Sequence, residues 1–83
     1  MTEATMINAV IYEPLPGDPT SGRVLWSTRA PAGAMAMEQR PWIATVEYDG
    51  EYDRSHKVEG GQLIQTHRWI LDADGRRVGL EPL

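Results

Sequence analysis

The sequence predicts a mainly β (α+β) domain, a small antiparallel sheet of five to six short strands with one short helix around residues 31–40. Three observations carry this. Short apolar and β-branched runs recur along the 83 residues, with turn signals roughly every ten residues. Two dipeptides between such runs, Gly60-Gly61 and Asp74-Gly75, read as hairpin turns. Only one stretch, Ala30 to Arg40, has helix-forming composition.

The length predicts one small β-rich domain over residues 1–83. A domain of this size buries only about 60% of the surface its unfolded chain exposes. There is no cysteine, hence no disulfide framework and no thiolate zinc site. Small domains without such staples gain stability by assembling with partners. The opening "MTEATMINAV" lacks the basic and apolar regions of a secretory signal. No run approaches the ~18 apolar residues of a membrane span. The expectation is a chain made in the cytoplasm, with no secretion signal and no membrane partner. The net charge of −4, with scattered acids and no basic stripe, argues against nucleic acid as a partner.

The elements follow in order. Residues 6–12, "MINAVIY", form an apolar run suited to a strand buried on both faces. Residues 13–22, "EPLPGDPTSG", carry three prolines and two glycines and read as a long loop, interfacial or a tolerated insertion. Residues 23–28, "RVLWST", form a second strand, with Val24, Trp26 and Thr28 on one face. In the helix, Pro31 suits the first turn, Gly33 weakens it and Pro41 ends it. Met35 and Met37 are either core plugs or an adaptable contact surface. Residues 41–50 read as a third strand in which Trp42, Ala44, Val46 and Tyr48 alternate with Ile43, Thr45 and Glu47, ending at the Asp49-Gly50 turn. "EYDRS" is one helical turn or a loop.

Two hairpins close the chain. A turn at Gly60-Gly61 pairs Glu59 with Gln62, Val58 with Leu63, Lys57 with Ile64 and His56 with Gln65. A type I′ turn at Asp74-Gly75 pairs Asp72 with Arg77, Leu71 with Val78, Trp69 with Leu80 and Arg68 with Glu81. That puts apolar residues on one face and opposite charges on the other. The first hairpin feeds directly into the second as a meander. Trp26, Trp42 and Trp69 all fall on the face expected to turn inward.

No pattern of catalytic chemistry emerges. His56 and His67 approach across the first hairpin, with Asp49 or Asp53 as a third ligand, but two histidines without a compact motif do not specify zinc. Ser55 and His56 are neighbours, which on a strand places them on opposite faces and argues against a dyad. No G-x-S-x-G elbow, P-loop or dinucleotide spacing is present. The acids Glu47, Asp49, Glu51 and Asp53 lack EF-hand spacing and read as a solvated loop. The expectation is a chain that is not an enzyme, with no catalytic residue, cofactor or metal.

The order of "AVIYEP", "TSGRVLWS", a Pro-Ala-rich short helix, "IATVEYDG" and "HKVEGGQLIQ" resembles small tail-associated structural proteins of tailed bacteriophages. Those run as a strand, a T-G-x-[IV] strand, a short helix, a strand and a "YV-x-G" hairpin. The matching pieces are residues 20–25, 43–48 and 57–63, and the resemblance covers about residues 6–70. The loop at 13–22 is longer than in that group, and Ser21 interrupts the T-G pair. The resemblance implies a virion component, an adaptor joining a tail tube, baseplate or collar to fibres. It implies protein subunits as partners in a homo- or hetero-oligomer, and it transfers no catalytic residue. Leu15, Pro16, Met35, Met37 and Tyr48 are the expected contact residues. The runner-up is a small bacterial cytosolic module that binds one protein partner.

Overall fold

The computed structural model describes residues 5–83, so the first four residues of the expected domain lie outside the described residues. Strand β1 (Met6–Leu15) turns into the long β2 (Asp18–Pro31). Helix α1 (Ala32–Ala36), β3 (Trp42–Ala44) and helix α2 (Tyr52–Ser55) follow. Strands β4 (His56–Glu59) and β5 (Gln62–Gln65) form one hairpin, and β6 (His67–Leu71) with β7 (Arg77–Pro82) another. The first five strands make one antiparallel sheet in the order β3-β1-β2-β4-β5, and β6-β7 is a separate two-stranded sheet. The fold is therefore mainly β, as the sequence indicates. Among the described residues no helix is long and apolar enough to cross a membrane.

β1 is central, and Ala9, Val10, Ile11 and Tyr12 are all buried, in keeping with its unbroken apolar run. The core gathers Val10, Tyr12, Val24 and Val58, with Ile43, Tyr52 and Leu63 packed against them. The molecule is a plate, 45 × 40 × 15 Å, with a radius of gyration of 14.4 Å. A compact chain of this length has about 12 Å.

The stretch at 13–22 is not a loop. β1 continues through Pro14 to Leu15, Pro16-Gly17 makes the turn, and β2 begins at Asp18. The prolines are tolerated because neither Pro14 nor Pro19 has a strand paired on its outer side. β3 meets β1 only at residues 9–11, and β4 meets β2 only at Gly22 and Arg23. Gly17 has φ +84°, as the position after proline in a type II turn requires.

The helix is shorter than residues 31–40. Pro31 is its N-cap residue, and the regular turn ends at Ala36. The third strand also stops early, at Ala44. Thr45 N still donates to Asn8 O at 2.8 Å, and Thr45 Oγ1 donates to the Glu47 carbonyl at 2.6 Å, a local bond that turns the chain away from β1. Val46 is consequently 97% exposed. "EYDRS" resolves to a helical turn, α2, over its last four residues.

The face assignment of the second strand fails at a bulge. Ile11 pairs with Trp26 but Tyr12 pairs with Val24, which leaves Leu25 as the extra residue. Val24 joins Val10 and Tyr12 in the core, while Trp26 turns to the other face and is 40% exposed. None of the three tryptophans lies in the fully buried core; Trp42 and Trp69 are half-buried.

The Gly60-Gly61 register is observed residue for residue, with both glycines at positive φ as a type I′ turn demands. The last hairpin matches at Arg68–Glu81 and Trp69–Leu80, then shifts, so that Leu71 pairs with Arg77. Its turn is a three-residue loop rather than type I′. Gly75 N donates to Asp72 O, Asp72 N donates to Arg76 O, and Gly75 alone takes positive φ. Asp72 Oδ1 accepts from the Asp74 and Arg76 amides, both at 2.9 Å, so its carboxylate closes its own turn instead of facing Arg77. The meander is also broken. Thr66 gives both its N–H and its hydroxyl to the Ser55 carbonyl, and the chain leaves the first sheet there.

Candidate functional site

The expected contact residues do not converge on one patch. Leu15 and Pro16 sit exposed at the tip of the β1–β2 hairpin. Met37 is 81% exposed just after α1, at the opposite end, where Met6 pairs with Pro31. The ten residues of β1 put about 30 Å between the two ends. Tyr48 is exposed on the connection between β3 and α2. Met35 is 4% exposed and so is a core plug, not a contact in the isolated chain. A residue of so short a helix packs or projects according to its single turn, which periodicity alone does not fix.

A shallow cleft of about 360 Å³ lies beside the hairpin tip. Leu15, Gly22 and Val58 supply its apolar part, and Asp18, Arg23, Lys57 and Glu59 its charges. Ser21 explains why the β4–β5 turn docks here. Its buried Oγ accepts from Gly60 N at 2.9 Å, and Thr20 O accepts from Gly61 N at 2.8 Å. Gly22 is required, because a Cβ there would overlap the Glu13 carbonyl oxygen. The hydroxyls of Ser21 and Thr20, with the Thr20 amide, hold the Asp18 carboxyl below its ordinary range.

A well-connected polar cluster joins β7 to the connection between β3 and α2, and sequence spacing gave no sign of it. Arg77 on β7 donates from both terminal nitrogens to Asp49, at 3.0 and 2.7 Å, and from Nη1 to Glu51 at 2.8 Å. The guanidinium also lies over the Trp69 ring at 4.5 Å, and Arg54 lies over the same ring at 5.2 Å. Bidentate geometry and stacking are what arginine does and lysine does not. The Arg77 hydrogen bonds hold the Asp49 carboxyl below its ordinary value, and Asp49 with Glu51 raises that of Arg77. Two acids of the run 47–53 are thus latch residues for a distant hairpin rather than solvated loop charges.

Two hydroxyl–imidazole pairs sit beside the latch. Ser55 Oγ lies 2.6 Å from His56 Nδ1, and Thr66 Oγ1 lies 2.8 Å from His67 Nδ1. The objection from strand alternation does not apply to the first pair, since Ser55 ends a helix. Ser55 is however 1% exposed, so its hydroxyl is closed off from solvent. Burial lowers the His56 pKa, against the opposing pull of the Asp49 charge. Thr66 spends its proton on the Ser55 carbonyl and so accepts from His67 Nδ1–H. Tyr52 packs edge-on against His56 with ring centroids 4.7 Å apart, and desolvation raises its phenol. Among the described residues no group of three or more His, Asp or Glu is placed to hold a metal ion.

No family model matches the chain, and neither a curated protein nor a solved structure matches it.

Proposed function

We propose that the protein is a non-enzymatic structural component of a bacteriophage virion, a tail, baseplate or fibre-attachment adaptor that acts through contacts with neighbouring subunits. The observation that carries the assembly part is the plate itself. A plate 45 × 40 × 15 Å leaves a large surface open for a chain of 83 residues. The buried apolar side chains are few, while Leu15, Trp26, Met37, Val46, Tyr48 and Leu71 stay exposed among others. Apolar and aromatic side chains left at the surface offer contact area to neighbouring subunits. The virion setting rests on the resemblance of layout alone.

The test is co-purification. Particles from an infected or induced culture are purified through a density gradient and analysed by mass spectrometry. The protein is expected in the particle band at a fixed ratio to the tail proteins. Its absence from every particle fraction would overturn the virion reading.

A further inference from the structure

The five-stranded sheet ends in two unlike edges. β3 is three residues long and follows Pro41, and short strands and prolines are among the devices that keep edges from pairing. β5, "QLIQ", has no charge, no proline and no bulge in its pairing with β4. The two-residue turn fixes which of its groups are free. Glu59 with Gln62, and Lys57 with Ile64, are the pairs that exchange ladder hydrogen bonds. The main-chain groups of Leu63 and Gln65 therefore point away from β4. Among the described residues no main-chain bond outside the ladders uses either of them.

We propose that β5 pairs antiparallel with β5 of a second copy about a twofold axis at Ile64, joining two five-stranded sheets into one. This rests on reading the chain as an assembling module, and it names a partner for it. An axis perpendicular to the sheet keeps every side chain on its own face, so only residues of like parity oppose each other. Centred on Ile64, Leu63 of each copy opposes Gln65 of the other. Both outward-facing residues are then satisfied, with about four main-chain hydrogen bonds across the seam. Centring on Leu63 would instead recruit Gly61, whose N–H already donates to Thr20 O at 2.8 Å. Ile64 meets Ile64 of the second copy, and an uncharged strand sets no like charges opposite each other. The contact is closed, so it yields a dimer and not a fibre.

The full chain is tested by sedimentation over a range of concentrations, as wild type and as Ile64→Lys, Ile64→Glu and Gln65→Pro. Wild type is expected to dimerise with rising concentration. Each Ile64 variant sets like charges across the axis and is expected to associate about tenfold more weakly or worse. An equimolar mixture of Ile64→Lys and Ile64→Glu is expected to recover the dimer. Gln65→Pro deletes an outward N–H, yet position 65 exchanges no ladder bond with His56, so it tests the seam without cutting the β4–β5 pairing. Circular dichroism checks that each variant is folded. A wild type that is monomeric throughout, a dimer indifferent to the variants, or a mixture no tighter than its components overturns the pairing. A monomer that still travels with particles overturns the β5 seam and leaves the virion reading standing. A dimer found in no particle does the reverse.

Discussion

Arg77 and Asp49, 28 residues apart in sequence, meet through two hydrogen bonds of 3.0 and 2.7 Å, and this contact ties the two-stranded sheet to the connection that follows β3. The pair is only partly exposed, with 38% of the Arg77 side chain and 21% of the Asp49 side chain open to solvent. Arg77→Ala also removes the cation from the Trp69 face. The expected loss is roughly 1–2 kcal/mol, above that of an open surface pair and moderated by solvent screening. Urea unfolding of Arg77→Ala, Asp49→Ala and the double variant checks it. Additive single effects would show that the two do not interact.

Glycine positions differ sharply in what they tolerate. At Gly22 a methyl group would overlap the Glu13 carbonyl, and neither strand is free to move aside. Gly22→Ala is expected to cost about 3 kcal/mol or more. At Gly33, within α1, a Cβ meets nothing within 4 Å, so Gly33→Ala is expected to stabilise by about 0.5–1 kcal/mol. Thermal melts of the two variants should move in opposite directions.

Valines separate core from surface in the same way. Val58 is fully buried between β2 and the core cluster, and Val58→Ala is expected to lose about 2 kcal/mol. Val46 stands free on its loop, and Val46→Ala is expected to change stability by less than about 0.5 kcal/mol. A comparable loss at both positions would contradict the burial described above.

Acidification is expected to weaken the fold in two stages. The folded pKa of His56 lies below its ordinary 6.5, so its contribution is full above that value and is lost as the pH falls through and below it. The folded pKa of Asp49 lies below 3.8, so its contribution persists to lower pH and is lost as the pH falls through that second window. Urea midpoints measured from pH 8 down to pH 3 should show both declines. In His56→Gln the upper one should vanish and the lower one remain.

Local chemistry made the hairpins legible. Gly60-Gly61 admits positive φ at both positions, and that alone fixed the β4–β5 register. The Asp-Gly turn misled because Asp72, two residues upstream, could close a longer loop with its own carboxylate. Prolines at 14 and 19 argued for a loop, and whether a proline suits a strand depends on how far the neighbouring strands reach. The bulge at Leu25 and the latch at Arg77 are long-range facts. Periodicity carries no trace of either, and so the tryptophan faces and the role of Asp49 and Glu51 were out of reach. Of the expected contact residues, Leu15, Pro16, Met37 and Tyr48 lie at the surface and Met35 is buried, since one helical turn has no second turn to define its face.

The thinness of the plate also bears on which substitutions such a chain tolerates. A sheet with so small a buried cluster places packing demands on few positions, and the rest answer mainly to turn chemistry and strand propensity. Most substitutions outside that cluster are therefore expected to leave the succession of hairpins in place. In a sheet built this way, hairpin turns and strand order set the shape more than any one side chain outside the buried cluster does.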